Sequence, residues 1–260
     1  MDIEKVKKKV SEIAAQCDGR VGLVIETGED RIEINPHDRF SSASLIKIPI
    51  LLEGFRQYDR GALDLQEYLP VQAAHRVGGA GVLQALSDDL KLKIVDLLAL
   101  MIIVSDNTAT NMLIDRIGMN KINQCIKDHT LEGTELNRKM MDLDAAQKGM
   151  DNHTTASDIV WCLRAIDEQN FLTKESSIQA FNILEKQQFK NKLCDSLDSE
   201  AIQIASKTGE LPGVEHDCVI MKYGGNTLYA AVLIDGLPNR EAGRKTFTQI
   251  GIVLSQFIMT

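Results

Sequence analysis

The sequence has only five prolines and few aromatic residues, and its 29 basic residues are outnumbered by 37 acidic ones. The net charge of −8 argues against a nucleic-acid binder or an anionic-membrane binder, because both depend on an excess of lysine and arginine. The longest apolar run, 96–104, contains an aspartate and is too short to cross a bilayer. No apolar signal-peptide core lies near the first residue. We expect a cytoplasmic protein, or a secreted one if the sequence is a mature form that has lost its export signal.

Metal and cofactor motifs are also missing from the sequence. The five cysteines and five histidines form no CxxC, HxxxH or HExxH pattern. The glycine-rich segment 78–81 follows no strand and lacks the spacing of a dinucleotide fingerprint, so a flexible rim beside a site is the better interpretation. We therefore expect no metal and no cofactor.

Strand-like alternation occurs near both ends of the chain, and helical periodicity dominates between them. Segments 20–35 and 201–234 are predicted to form strands, while 44–58 and 91–104 are among the predicted helices. The simplest packing is one antiparallel sheet built from both termini, with helices on its faces and a helical insertion. We predict a single domain of 260 residues, in which 1–57 and 201–260 form the α/β part and 58–200 form the helical part.

The segment Ser44-Leu-Ile-Lys47 begins a predicted helix. A serine and a lysine three residues apart share one helical face and lie close enough for hydrogen-bonded proton transfer. The helix N-terminus favours negative charge developing at Ser44, and burial beside another cation would lower the pKa of Lys47 enough to make it a base. The simpler interpretation is an N-capping serine and a solvated lysine.

Two further tripeptides bear on this pair. Ser105-Asp-Asn lies between two helical segments and supplies a hydroxyl and an amide, although an N-cap would explain it alone. Lys207-Thr-Gly lies at the end of a strand-like run and supplies positive charge, a hydroxyl and space for a ligand, although a polar turn would explain it alone. All three motifs in this order occur by chance in about one chain in a few thousand.

The set Ser-x-x-Lys, Ser-Asp-Asn and Lys-Thr-Gly resembles the motifs of class A β-lactamases and penicillin-binding proteins. The spacing between motifs and the order of the predicted elements extend the resemblance over nearly the whole chain. The resemblance implies an α/β layered fold of the class A β-lactamase and transpeptidase type. In that fold an antiparallel sheet is flanked by helices and joined to an all-α subdomain.

The resemblance also implies a role for each motif residue. Ser44 would attack a carbonyl and become acylated, Lys47 would be its nearest base, and Ser105 would pass a proton to the leaving group. Substrate would be bound by its amide and by an anionic group such as a carboxylate, and an oxyanion hole would use the backbone N–H groups of Ser44 and Glu210. The implied binding residues are Asn107, Lys207, Thr208, Gly209 and Glu210.

The segment that should form the family's omega loop departs from the pattern. Thr134-Glu-Leu-Asn-Arg138 resembles its start, and an ungapped register brings Thr154-Thr155 to its end and Met140 to the position of the hydrolytic glutamate. A rival register puts Gly133 at that position, with Glu132 one residue away. Neither register supplies the glutamate, and the side chains that could approach the site after a rearrangement are Asp142, Glu132, Glu135 and His153.

The anion pocket departs as well. Glu210 replaces a small neutral residue, and the strand that follows it, 214–218, contains no arginine to reinforce Lys207. We expect a carboxylate to bind less well there, unless Glu210 faces solvent and lends only its N–H.

These features give three functional hypotheses. The first is a class A β-lactamase-like serine hydrolase that acts through a Ser44 acyl-enzyme on β-lactams or related amides and esters, with slow or atypical deacylation. The second is an intracellular esterase or peptidase of the same fold, and the third is a penicillin-binding sensor that stays acylated. The expected partner is a small acyl substrate. No nucleic acid or membrane is expected, and the chain is expected to be a monomer.

Overall fold

The computed structural model describes residues 1–195, 197 and 201–260, so the end of the predicted helical part, 198–200, lies outside the described residues. The strands are β1 (Arg20–Thr27), β2 (Asp30–Ile34), β3 (Phe40–Ser41), β4 (Tyr68–Pro70), β5 (Lys91–Lys93), β6 (His153–Thr154), β7 (Gln203–Leu211), β8 (Val214–Tyr223) and β9 (Asn226–Asp235). The helices are α1 (Ile3–Ala15), α2 (Lys47–Asp59), α3 (Ile94–Ile103), α4 (Asn107–Ile117), α5 (Met119–Asp128), α6 (Leu143–Gln147), α7 (Ala156–Asp167), α8 (Lys174–Glu185) and α9 (Arg240–Ile258).

The main sheet is antiparallel throughout and runs in the order β2-β1-β9-β8-β7. Its strands come from the two ends of the chain, as the alternating segments predict. Strand β7, which carries the lysine motif, lies at one edge, and its register pairs Lys207 with Cys218 and Gly209 with His216. One side of the motif strand is therefore paired with β8, and its other edge is free to face the helical part.

Both faces of the sheet are covered by helices. In β9, Leu228, Ala230 and Val232 belong to the core under α1 and α9, while Ala231 and Leu233 belong to the core on the helical side. Successive side chains of a strand point to opposite faces, so burial on both faces explains why this strand is a continuous apolar run. No helix within the described ranges is long and apolar enough to span a membrane.

Helix α2 is the central helix of the core on the helical side of the sheet, and nearly all its residues are buried. It begins later than predicted, because Ala43–Ile46 form a 3₁₀ turn and the α-helix starts at Lys47. Pro49 is tolerated because it lies in the first helical turn, where a missing N–H breaks no bond. The helix ends before Gly61, whose φ of +69° suits a left-handed C-terminal position.

The prediction of a helix over 91–104 is wrong for its first three residues. Lys91–Lys93 form β5, which pairs with β4 from a segment more than 20 residues earlier. The α-helix then starts at Ile94, whose N–H donates to the carbonyl of Glu67. Pairing with a distant strand is a tertiary contact that helical periodicity cannot reveal.

Candidate active site

Ser44 lies where the edge strand β7 meets the start of the central helix. The residue before it, Ala43, has a φ of +45°, an uncommon conformation for a residue with a side chain. Gly209 of β7 packs against this turn so closely that a Cβ on it would lie 3.2 Å from the Ser44 nitrogen. Glycine at this position therefore lets the backbone of β7 run directly beside the Ser44 N–H.

The hydroxyl of Ser105 is the hub of the site. Its Oγ donates to Ser44 Oγ at 2.9 Å and accepts from Lys47 Nζ at 3.0 Å and from Lys207 Nζ at 3.1 Å. Ser105 also has a positive φ of +55°, strain that a surrounding network has to hold. One hydroxyl therefore connects residues from all three sequence motifs.

In the part of the chain that the structure describes, Ser44 and Lys47 share no direct hydrogen bond. Lys47 Nζ instead donates to Ser105 O at 2.7 Å, Ser105 Oγ at 3.0 Å and Asn107 Oδ1 at 2.9 Å. An ammonium has three donors, and these three acceptors use them all. The hydrogen-bonded route from Ser44 to Lys47 passes through the Ser105 hydroxyl.

The two lysines are both fully buried. Burial is the main reason why the pKa of Lys47 lies well below its usual value, and the charge of Lys207 lowers it further. Burial also lowers the pKa of Lys207, to about 7. Because both ammonium groups reach one acceptor, they lie within about 6 Å of each other, a range at which like charges disfavour double protonation. The site favours one neutral lysine near neutral pH.

The Ser-Asp-Asn segment also holds the glycine-rich segment that borders the site. The Asp106 carboxylate caps α4 through the N–H of Ala109 and also accepts from the N–H groups of Val82 and Leu83. A Cβ at Gly81 would lie only 2.3 Å from the Asp106 carboxylate, so the glycine-rich segment packs directly on this motif. The N-cap and the functional interpretation of the motif are thus compatible.

Around Ser44 is an open cavity of about 210 Å³. Of the predicted site residues, Ser44, Asn107 and Glu210 line it, whereas Lys47, Ser105, Lys207, Thr208 and Gly209 do not. The remaining lining residues are Ser42, Ala43, Gly79, Ala80, Arg138, Met140, Met141, Leu143, Asp151, Asn152 and Leu211. The cavity is therefore bounded by motif residues on one side and by 138–143 on the other.

The side chain of Asn111 fixes the position of Met140. Its Oδ1 accepts from the Met140 N–H at 2.7 Å and its Nδ2 donates to the Met140 carbonyl at 3.0 Å. An ion pair of 2.8 Å between Arg138, before Met140, and Asp151, after it, joins the two ends of the loop that carries Met140. Asn111 is a residue that the sequence reasoning missed, since an asparagine in the middle of a predicted helix carries no distinguishing signal.

The rival register does not agree with this geometry. Glu132 and Gly133 line a separate pocket beside Trp161, and Glu135 is exposed and paired with Arg39. Two other titratable groups, Asp142 and His153, also lie outside the Ser44 cavity, Asp142 as the N-cap of α6 and His153 in β6. The structure places Met140 at the wall where the ungapped register predicts a hydrolytic residue.

Glu210 does not simply face solvent. Its carboxylate lies 3.3 Å from Lys192 Nζ and 3.6 Å from Arg240, while it also lines the cavity. Lys192 is a second residue that sequence reasoning missed, because a lysine in the short run 190–192 is typical of a solvated loop. In the structure this side chain is completely buried behind β7.

His216 lies opposite Gly209 on β8, in the strand where no arginine is available. Its ring is fully buried, and Nε2 lies 2.8 Å from the carbonyl oxygen of Ser41. Burial lowers the pKa of His216 to about 4, so the ring is neutral at ordinary pH. It therefore supports the backbone before Ser44 and adds no positive charge to the anion pocket.

Comparison with known proteins is consistent with this arrangement. The sequence profile of the beta-lactamase enzyme family matches residues 5–258. A beta-lactamase of Rhodobacter capsulatus is 32% identical over 128 residues, which cover 45% of this chain and 40% of that protein. The chain thus aligns with less than half the length of this curated relative.

Several solved structures share the fold. The beta-lactamase from Sphaerobacter thermophilus has a TM-score of 0.90 at 32% identity over 99% of this chain and 98% of that chain. An acyl-enzyme complex of a PBP-A mutant with penicillin G has a TM-score of 0.88 at 26% identity, over 98% and 96% of the two chains. An ancestral class A β-lactamase has a TM-score of 0.88 at 20% identity, over 97% and 99%. The predicted fold, an antiparallel sheet flanked by helices with an all-α part, is confirmed.

Proposed function

The chain belongs to the beta-lactamase enzyme family, and we propose that it is a serine hydrolase that forms an acyl-enzyme at Ser44. Its substrates in this proposal are small β-lactams or related amides and esters. The observation that carries the proposal is the Ser105 hydroxyl, which is hydrogen bonded to Ser44 Oγ and to the ammonium groups of two buried lysines. A nucleophile joined to a lysine of lowered pKa is the arrangement that covalent catalysis requires.

In this proposal, acylation moves one proton from Ser44 through the Ser105 hydroxyl to Lys47 and then to the leaving group. Ser44 Oγ attacks the carbonyl carbon while its proton passes through the Ser105 hydroxyl to neutral Lys47. The carbonyl oxygen becomes an oxyanion that accepts from the N–H groups of Ser44 and Glu210. When the bond to the leaving nitrogen or oxygen breaks, the proton returns through Ser105 to the leaving group. Asn107 and Thr208 would orient the amide and an anionic group of the substrate.

Deacylation needs a base for the attacking water, and the wall opposite Ser44 does not provide one in the usual place. Met140 is a thioether and cannot accept a proton at neutral pH. Asp151 is the one carboxylate of that wall among the described residues. Burial opposes its ionisation, but hydrogen bonds from Ser41 and Arg138 keep its pKa below the usual value. A carboxylate held in this way is a weak base, so we expect the acyl-enzyme to hydrolyse slowly.

The test is intact-protein mass spectrometry after incubation with benzylpenicillin and with a small activated ester. We expect a stoichiometric adduct on Ser44 that decays slowly after the free acyl donor is removed. The Ser44→Ala variant is the control and should remain unmodified. Absence of an adduct on Ser44 with every acyl donor would refute the proposal.

A second candidate is hydrolysis of esters or peptides that carry no carboxylate. It is favoured by Glu210, a residue of the cavity lining next to the lysine motif whose negative charge opposes the binding of an anion. Turnover of a neutral ester compared with a chromogenic cephalosporin separates the two candidates. If the ester turns over many times while the cephalosporin only acylates Ser44, the esterase is the better description. If both adducts persist, the molecule acts as an acylated sensor.

A further inference from the structure

Lys192 is a buried cation that the proposed reaction does not use. Its side chain has no exposed surface, and Nζ lies 2.5 Å from the Glu215 carboxylate, 3.0 Å from Gly209 O and 3.1 Å from His216 O. Two of its three donors therefore go to backbone carbonyls, one on the motif strand β7 and one on β8. Because Gly209 and His216 face each other across β7 and β8, the ammonium joins the two strands at the point nearest to Ser44.

The fold holds the loop of Lys192 in this place. The N–H of the next residue, Leu193, donates to the buried Asp217 carboxylate at 2.9 Å. Helix α9 approaches the same residue so closely that a Cβ at Gly251 would lie 2.0 Å from the Leu193 carbonyl oxygen. A larger side chain at Gly251 would push the loop away, so the close approach that seats Lys192 depends on this glycine.

Stability alone is a poor explanation for this lysine. Removing an ammonium from water is costly, and a buried ion pair is often no more stable than a pair of apolar residues of similar volume. Lys192 also has no donor left for a substrate, because its three N–H groups go to Gly209 O, His216 O and the Glu215 carboxylate. Its effect on the site has to pass through the groups that it contacts.

The contact with Gly209 O fixes the direction of an oxyanion donor. In a trans peptide the C=O and the N–H point in opposite directions, and the described part of the chain has no cis peptide bond. With its carbonyl drawn towards Lys192, the Gly209–Glu210 peptide turns the Glu210 N–H away from the lysine. The carbonyls that Lys192 contacts lie where β7 pairs with β8, so the N–H points to the unpaired edge of β7, beside which the turn that carries Ser44 packs.

We infer that Lys192 is a positioning residue for acyl transfer, which holds the Gly209–Glu210 peptide so that the Glu210 N–H completes the oxyanion hole with that of Ser44. The inference rests on the proposed function of Ser44. The charge of Lys192 has a second, smaller effect. It helps to lower the pKa of Lys207, although the burial of Lys207 is the larger cause.

The experiment compares two variants that differ only at Lys192. Replacing the lysine alone would leave the buried Glu215 carboxylate with only the more distant Arg240, at 3.7 Å, as an ionic partner, which is destabilising. The test protein is therefore Lys192→Met combined with Glu215→Gln, and the matched control is Glu215→Gln alone. Lys192→Arg, which keeps the charge and the donors, is the conservative variant. Folding of each protein is checked by circular dichroism and thermal melting.

Three quantities are measured. The first is the acylation rate constant with benzylpenicillin, which should fall about 10- to 100-fold in the double variant relative to Glu215→Gln, since loss of an oxyanion donor costs about 100- to 1,000-fold. The second is the infrared band of the ¹³C-labelled acyl-enzyme carbonyl, which should move to higher wavenumber as hydrogen bonding weakens. The third is the hydrogen exchange of the Glu210 amide in the free protein, which should become faster. Lys192→Arg should restore part of each.

The outcomes separate this inference from the proposed function. If the wild-type protein is acylated and the double variant matches Glu215→Gln in rate and carbonyl band, the inference is overturned. If the wild-type protein forms no adduct, the proposed function fails. Exchange of the Glu210 amide then decides the positioning alone, with faster exchange supporting it and unchanged exchange refuting it.

Discussion

The two walls of the cavity around Ser44 differ in polarity and in how their side chains are held. The motif wall places Ser44 against a buried hydroxyl and two buried lysines, and each of these groups is hydrogen bonded. The opposite wall contributes Met140, Met141 and Leu143. This wall is held by the two hydrogen bonds of Asn111 to the Met140 backbone and by the ion pair between Arg138 and Asp151. Its polar side chains are bound to groups of the same wall, and none of them contacts Ser44 through a hydrogen bond in the described part of the chain.

The difference shows that the two half-reactions of the proposed enzyme depend on separate elements. The groups that would form the acyl-enzyme come from α2, β7 and the segment before α4, whereas the position for a hydrolytic base comes from the loop before α6. A substitution on one wall should therefore change one half-reaction and leave the other nearly intact. The predictions below test this separation, from the largest expected effect to the smallest.

Lys47→Met should reduce the acylation rate constant about 1,000-fold, because a positioned general base contributes about 100- to 10,000-fold. The rate is measured by quenched mass spectrometry with benzylpenicillin. Lys222→Met is the control, since Lys222 pairs with Asp167 at the far end of β8. A loss of less than about tenfold would mean that Lys47 is not the base that the proposal requires.

Met140→Glu should raise the deacylation rate constant about 100-fold, because it places a carboxylate at a backbone position that Asn111 already fixes. Acylation should change little. The measurement is the decay of the Ser44 adduct after the acyl donor is removed. Met140→Gln is the control, since glutamine has the shape of glutamate but is not a base. If it accelerated deacylation as much as Met140→Glu, the effect would come from easier access of water to the acyl-enzyme.

The affinity for substrates with a carboxylate should fall about tenfold as the pH rises through the Lys207 pKa of about 7. The sign follows from the charge, since the lysine is an ammonium below that pH and neutral above it. The dissociation constant before acylation is measured from pH 6 to about 8.5 for a penicillin and for its methyl ester. The ester is the control and should show little pH dependence of binding; a parallel decrease for both would contradict the assignment.

Glu132→Gln and Glu135→Gln should each change the deacylation rate less than about twofold, because exposed residues outside a site contribute little. Both side chains are exposed and lie outside the Ser44 cavity. The assay is the same adduct decay as for Met140→Glu. A tenfold decrease with either variant would show that the loop rearranges and brings that carboxylate to the acyl-enzyme.

A feature of this site was predictable when the residues that form it lie close together in the sequence. The three motifs are short and local, and each lies at an element boundary that nearby periodicity indicates, so the fold and the motif residues followed from the sequence. Met140 followed from an ungapped register between two threonine-containing segments. The hydrogen bond between Ser44 and Ser105 joins residues 61 positions apart, so the route from Ser44 to Lys47 through Ser105 could not be inferred from the spacing of the first motif.

Other features carried no local signal at all. Asn111 has the same appearance as any polar residue of a helix, and Lys192 the appearance of a solvated loop lysine. Their importance comes from which backbone groups they meet after folding: Met140 for the first, Gly209 and His216 for the second. The strand β5 was missed for the same reason, since its partner β4 lies in a distant segment.

The sequence by itself determined the class of fold, the Ser44 and Lys47 pair that we propose as nucleophile and base, and the absence of a glutamate from the position at which the resemblance implies one. These are properties of residue type, order and spacing, which exist before the chain folds. The tertiary structure decided that Ser105 connects Ser44 to both lysines, that the lysines are buried enough to have lowered pKa values, and that Lys192 contacts the peptide of Glu210. Burial and hydrogen bonding are relations between segments far apart in the chain, such as Ser105 and Lys207 at a separation of 102 residues, and packing alone creates them.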